Sequence, residues 1–112
     1  MNLNEYQKLA AKTDLYEFKD LKDPGFTEKI LGLCGETGEV ADKFKKVIRD
    51  ENGQISPDSK DGIKKELGDV LWYIAAISRY LEIPLEDIAQ ANLDKLAARQ
   101  KANKLHGAGD NR

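Results

Sequence analysis

Two short acidic segments, ETGEV at residues 36–40 and ELGDV at residues 66–70, share one pattern. In each segment, two carboxylates stand three positions apart, with a glycine between them and an apolar residue after them. Residues at i and i+3 lie on the same face of an α-helix, so each segment presents two carboxylates on one side. The pattern therefore predicts two helices whose four acidic groups converge if the helices pack as neighbours.

The apolar residues around these segments recur at helical spacing, and strand signals are weak. We predict helices with the following bounds: Asn2 or Asn4 to Lys12, Asp23-Pro24 to about Ile48, Asp58 or Ser59 to Leu81, and Pro84 to about Lys104. A short helical turn is considered at 15–18, and 49–58 reads as a loop because turn-forming residues cluster there. The sequence predicts an all-α bundle of four to five helices, completed by oligomerisation, with one domain at 1–106 and a flexible tail at 107–112.

Composition excludes several classes of partner. The chain has 18 basic and 20 acidic residues, a formal charge of −2, and lacks the basic stripe typical of nucleic-acid-binding proteins. Its longest apolar-rich stretch, residues 70–77, is too short to cross a bilayer, and its start lacks the apolar run of a signal peptide. The single cysteine, Cys34, is expected to be a small core residue in a reducing compartment. We therefore expect a soluble, cytoplasmic protein that binds neither nucleic acid nor membrane.

The acid pairs are expected at the same flank of each helix's apolar stripe, and at matching heights in an antiparallel hairpin. Four converged carboxylates repel one another by on the order of 10 kcal/mol at an effective dielectric of about 20. That repulsion is comparable to the whole net stability of a domain, so protonation, exposure or a cation must relieve it. The oxygen ligands favour Mg²⁺, with Mn²⁺ as a substitute, and the candidate ligands are Glu36, Glu39, Glu66 and Asp69. A solvated acidic helix face is the alternative interpretation.

Glycines also interrupt both acidic helices, at Gly32, Gly35, Gly38 and Gly68. Each helix-interior glycine costs about 1 kcal/mol relative to alanine. We expect these glycines to permit the close approach of a partner helix, a metal or a substrate.

The fourth predicted helix carries donors suited to an anionic substrate. Asn92, Lys95 and Arg99 fall on one face of it, at i, i+3 and i+7. An amide, an ammonium and a guanidinium on one face can clamp phosphates, and Lys43 on the second helix could join them. Solvated surface cations are the alternative for each of these residues taken alone.

These residues carry a resemblance to a known family. The two acid pairs and the run Asn92-x-x-Lys95-Leu96-x-x-Arg99 resemble the all-α nucleoside triphosphate pyrophosphohydrolases, the MazG-like group, over residues 27–107. The resemblance implies Mg²⁺-dependent cleavage of a nucleoside triphosphate between the α- and β-phosphates, which yields a nucleoside monophosphate and pyrophosphate for nucleotide-pool house-cleaning. It also implies homodimers or tetramers with sites near subunit contacts.

The same resemblance assigns roles to residues. It implies that the four acidic residues hold the metal ions, that Lys95 and Arg99 bind phosphates, and that Asn92 binds the sugar or phosphates. A competing hypothesis is a non-catalytic helical interaction module that binds a structural cation. The sequence does not identify the base, although four aromatic residues are candidates to contact it: Phe18, Phe26, Trp72 and Tyr73.

Overall fold

The computed structural model describes residues 1–103, 107, 109 and 110. It contains four helices, α1 (Leu3–Ala11), α2 (Pro24–Glu51), α3 (Pro57–Tyr80) and α4 (Leu85–Lys101), and no strand occurs among those residues. The all-α prediction is therefore confirmed. The predicted end of the fourth helix at Lys104 and residues 108, 111 and 112 of the expected tail lie outside the described residues. The division into a domain and a tail stays a prediction.

Polar caps followed by proline start the two long helices. Asp23 accepts a hydrogen bond from the Gly25 N–H before Pro24, and Ser56 accepts one from the Ser59 N–H before Pro57. A carboxylate or hydroxyl at the cap satisfies an otherwise unpaired N–H, and proline at the next position has no N–H to lose. These starts lie within about two residues of those predicted, as helix ends usually do.

The α2 helix runs past its predicted end at Ile48 and continues to Glu51. It stops where Asn52 and Gly53 adopt positive φ angles of 54° and 76°, a conformation that reverses the chain at helix ends. The α3 helix then runs back antiparallel to α2 and forms its main packing partner. Close approaches at two points fix the register, since Gly32 lies against Tyr73 and Gly62 lies near Lys43.

The segment between α1 and α2, all of which the structure describes, is not helical. The short helical turn considered at 15–18 is therefore not formed. Asp14 anchors the segment, with a side chain that is only 1% exposed. It accepts hydrogen bonds from the Tyr80 hydroxyl and the Tyr16 N–H, and it pairs with Lys29 at 3.1 Å and with Arg79 at 2.7 Å. Long-range contacts of Asp14 with α2 and α3, rather than local helical hydrogen bonds, therefore determine the conformation of this segment.

Burial alone would raise the pKa of Asp14. The hydrogen bonds from Tyr80 and the Tyr16 N–H, together with the pairing to Lys29, outweigh that effect and hold the pKa below its usual value. The ionised carboxylate is thus the form that the fold selects.

The fold is open, with a Cα radius of gyration of 16.9 Å, whereas a compact domain of this length has about 13 Å. Large apolar side chains stay exposed on α2 and α3, among them Leu31, Phe44, Ile48 and Leu67. Cys34 is also exposed, so the prediction that it is a core residue is wrong for the single chain. The apolar stripe of α2 is wider than α3 alone can cover.

The contacts of α4 and the composition of the helices complete the description of the fold. Within the described part of the chain, α4 contacts α1 and α3 but not α2. None of the described helices combines the length and the apolar content needed to cross a bilayer.

We predict that Asp14→Ala lowers the free energy of unfolding by about 2–4 kcal/mol, because it leaves Lys29 and Arg79 without their shared partner. Urea unfolding measures the loss. Asp20→Ala, at an exposed position of the same segment, is the control, with an expected change below about 1 kcal/mol.

The stability difference between the wild type and Asp14→Asn should be present above about pH 4 and should shrink as the pH falls further. The direction follows because the pKa of Asp14 is lowered in the folded state. Equal stability of Asp14→Asn and the wild type at pH 7 would show that the ionised network does not hold the segment.

Candidate functional site

Three acidic side chains from α2 and α3 meet where the two helices pack. One carboxylate oxygen from each of Glu36, Glu66 and Asp69 lies within 4.8 Å of the others. The register that sets Gly32 against Tyr73 also brings Glu36 to Asp69, and Glu66 precedes Asp69 by about one turn of α3. We call these three residues the acidic cluster.

The electrostatics of the cluster are unfavourable without a counter-charge. The pKa of Glu36 is raised by its burial first, then by the charges of Asp69 and Glu66 and by a hydrogen bond with Glu66. Burial and like charges both disfavour the ionised carboxylate, and a bound cation would remove that cost.

The donor set fits a hard divalent cation. Two oxygens on opposite sides of a Mg²⁺ ion are about 4.2 Å apart, and the oxygens of the acidic cluster spread over 4.8 Å or less. A small side-chain adjustment would let all three residues hold one ion. The residues present therefore suit Mg²⁺ or Mn²⁺ better than a softer metal.

Glu39, the fourth predicted acid, lies one turn along α2 from Glu36. Its side chain is exposed and is not one of the three that meet within 4.8 Å. Its charge is still close enough to help raise the pKa of Glu36. The structure thus brings three of the four predicted acids together and leaves Glu39 beside them, toward solvent.

The expectation that the helix-interior glycines permit the close approach of a partner helix is confirmed at one position, Gly32. A Cβ added at Gly32 would lie 2.3 Å from the Tyr73 ring, so the absent side chain permits that ring to lie on α2. At Gly35, Gly38 and Gly68, no atom of the described chain lies within 4 Å of an added Cβ.

A cavity of about 300 Å³ opens beside the acidic cluster. Its lining combines two of the acids with further side chains from α3 and with one from the segment that follows α1. We call it the rim cavity: Thr13, Glu36, Asp69, Trp72 and Tyr73. Burial, and next the charge of Asp69, raise the pKa of Tyr6 on α1. Sequence reasoning missed Tyr6 and Thr13, since no local pattern marks a contact such as that of Thr13 with Trp72, 59 residues away.

The predicted phosphate-binding residues Lys95 and Arg99 do not line the rim cavity of the described chain. Lys95 pairs with Asp110 at 3.0 Å, and the buried guanidinium of Arg99 reaches Asp110 at 3.3 Å and the Gly109 carbonyl at 3.2 Å. These two donors hold the pKa of Asp110 below its usual value. Lys95 and Arg99 therefore bind the same carboxylate oxygen of Asp110. A phosphate oxygen carries a similar negative charge and could occupy the same position.

The other two predicted substrate-binding residues differ in environment. Asn92 is exposed on α4, within the part of the described chain that has no contact with α2. Lys43 is half-buried on α2 and faces Gly62 of α3, on the same helix as Glu36 but about two turns further along.

Comparison with family models identifies the family of the chain. A family model described as the MazG nucleotide pyrophosphohydrolase domain matches residues 26–103. This span includes all the predicted metal-binding acids and the predicted substrate-binding residues Lys43, Asn92, Lys95 and Arg99. The Gene 37 protein of Mycobacterium phage L5 is 39% identical over 114 residues, which cover all of both chains. The dCTP pyrophosphatase 1 of Bos taurus is 27% identical over 103 residues, which are 90% of this chain and 56% of the bovine protein. No solved structure matches the chain.

We predict that Glu36→Gln raises the melting temperature in the presence of a chelator by about 2–5 °C, because it removes one of three mutually repelling charges. Thermal unfolding followed by circular dichroism measures the change. Glu39→Gln is the matched control, with a smaller rise expected because Glu39 lies outside the cluster. A lower melting temperature for Glu36→Gln would show that its carboxylate is stabilised rather than repelled.

Proposed function

Because the chain belongs to the MazG nucleotide pyrophosphohydrolase family and is a hydrolase of nucleotides, we propose that it cleaves nucleoside triphosphates with Mg²⁺. The products are a nucleoside monophosphate and pyrophosphate. The observation that carries the proposal is the meeting of three carboxylates from two helices inside the region that the family model matches. Clearance of unwanted nucleotides in the cytoplasm is the role that we infer for this activity.

The chemistry divides between the metal and the chain. A bound Mg²⁺ neutralises phosphate charge and lowers the pKa of a coordinated water. Glu36, Glu66 and Asp69 would hold the ion beside the rim cavity, because one carboxylate oxygen from each lies within 4.8 Å of the others. Glu39, exposed one turn from Glu36, is placed to hold a second ion or to orient the attacking water.

The phosphates need cationic donors, and among the described residues no Lys or Arg lines the rim cavity. Lys95 and Arg99 lie on α4, which contacts α1 and α3 but, in the described residues, not α2. We propose that these two residues reach the acidic cluster of a neighbouring copy, so that each site is complete only in the homo-oligomer.

The open surface of α2 and α3 supports such an assembly. An apolar groove of about 630 Å³ lies along the hairpin and includes Phe44, Ile55, Ile63 and Leu67. Phe44 and Leu67 are 47% and 52% exposed. Apolar patches of this kind usually mark contact surfaces, and a second copy of the chain offers the same apolar face. We propose a dimer or a tetramer built on these surfaces.

We predict that Glu39→Gln and Glu66→Gln each lower turnover by about two orders of magnitude or more while the fold is retained, because each removes a charge that holds or orients the reacting groups. Released pyrophosphate is measured over a panel of ribo- and deoxyribonucleoside triphosphates, dCTP included, with Mg²⁺. Glu28→Gln, an exposed acid earlier on α2, is the control and should keep wild-type turnover.

Two results would contradict this assignment. Full activity in Glu39→Gln would remove that residue from the site. If no nucleotide released pyrophosphate and Mg²⁺ with a non-hydrolysable triphosphate gave no thermal stabilisation, a non-catalytic interaction module would be the better interpretation.

We predict that an inactive Glu66→Gln chain and an inactive Arg99→Gln chain regain activity when they are mixed under conditions that exchange subunits. If Arg99 acts on a neighbour's cluster, one site of each mixed dimer is intact, and random pairing gives about a quarter of wild-type activity. Light scattering confirms the assembly, and each variant mixed with itself is the control. A mixture that assembles but stays inactive would place Glu66 and Arg99 of one site in the same subunit.

A further inference from the structure

The four aromatic candidates for contact with the base have different positions in the fold. Phe18 stacks on Tyr80 with ring centroids 5.2 Å apart, and Phe26 packs edge-on against both rings at 5.9 and 6.3 Å. The rings of Phe18 and Phe26 therefore pack against Tyr80 and hold the segment between α1 and α2 against the helices. Only Trp72 and Tyr73 of the four line the rim cavity.

Tyr73 is committed to helix packing. Its ring lies on the backbone of α2 at Gly32, so close that a Cβ there would come within 2.3 Å of it. A ring held in this way sets the separation of the two helices beside the acidic cluster. Trp72 is therefore the aromatic side chain of the cavity that is left for a ligand.

The indole of Trp72 is held in one orientation by three contacts. Its Nε1–H donates to the Thr13 hydroxyl at 2.8 Å, and the Lys29 ammonium lies over the ring, 5.1 Å from its centroid. The Trp72 and Tyr73 rings are nearly perpendicular, with centroids 5.0 Å apart. Lys29 is itself fixed by its 3.1 Å pair with the buried Asp14. An aromatic ring that is fixed before binding loses little entropy when a ligand stacks on it.

The position of Trp72 also suits a nucleoside. It follows Asp69 by about one turn of α3, so the ring lies one turn from a carboxylate of the acidic cluster. A substrate whose α-phosphate is at the cluster would have its sugar and base in the adjoining rim cavity, which has a volume of about 300 Å³.

We propose that Trp72 is the residue on which the nucleobase of the substrate stacks, in the rim cavity. The inference rests on the proposed function, because it places the phosphates at the acidic cluster. The indole N–H is already bonded to Thr13, so Trp72 offers the base its π-system and no hydrogen bond. Stacking of this kind tolerates every base, and the side chain therefore contributes affinity for the nucleoside rather than selection of one base.

The chain carries its own reporter for this contact, because Trp72 is its only tryptophan. Wild-type protein with Mg²⁺ is titrated with a non-hydrolysable α,β-methylene nucleoside triphosphate and, separately, with inorganic triphosphate, which has no base. Stacking predicts saturable quenching of the tryptophan emission by the nucleotide and little change with inorganic triphosphate. Equal quenching by both, or binding of the nucleotide without quenching, would overturn the inference.

Kinetics of two variants supply the second measurement. Loss of one stacked base predicts that Trp72→Leu raises KM about 10-fold with kcat changed less than about 3-fold, and that Trp72→Phe restores KM to within about 3-fold of the wild type. The inhibition constant of inorganic triphosphate should be the same in all three proteins. An unchanged KM in a folded Trp72→Leu protein, or an equal loss of affinity for inorganic triphosphate, would overturn the proposal.

The two proposals fail in different ways. Absence of pyrophosphate release by the wild type would defeat the proposed function. Normal wild-type turnover with no dependence of KM on residue 72 would defeat only the role of Trp72. The fluorescence titration needs no variant, so it is informative even if Trp72→Leu does not fold.

Discussion

The antiparallel register of α2 and α3 is the constraint on which the rest of the structure depends. Tyr73 can lie on α2 only because residue 32 has no side chain, and the same register brings Glu36 to Asp69. A helix shifted by one turn would move a carboxylate by about 5.4 Å along the axis and disperse the cluster. The site is therefore a consequence of how two helices interlock, and not of either helix alone.

Repulsion among these acids destabilises the folded state, and a network at the C-terminal end of α3 stabilises it. There Asp14 gathers Lys29, Arg79 and Tyr80, while the rings of Phe18 and Phe26 pack on Tyr80. This network holds the segment between α1 and α2 against the hairpin. It also positions Thr13 and Lys29 at the indole of Trp72, so that the same contacts that stabilise the fold shape the rim cavity.

Local sequence features predicted most of the secondary structure. Asp23 before Pro24 marked the start of α2, and helical spacing of apolar residues marked all four helices. The prediction failed where long-range contacts compete with local preference. The considered turn at 15–18 gives way to the Asp14 network, and Cys34 lies outside the face that α3 covers. Neither outcome has a signal within a window of neighbouring residues.

The sequence by itself determined that the chain is helical and that each acid pair shares one helix face, because side-chain direction follows from the 3.6-residue period. Only the tertiary structure decided that Glu36, Glu66 and Asp69 meet while Glu39 stays beside them, and that Trp72 lines the adjoining cavity. It also decided that α4 packs away from α2 in the described chain. Periodicity fixes angles about a helix's own axis, whereas the register between helices and the path of a loop are set by packing between residues distant in sequence.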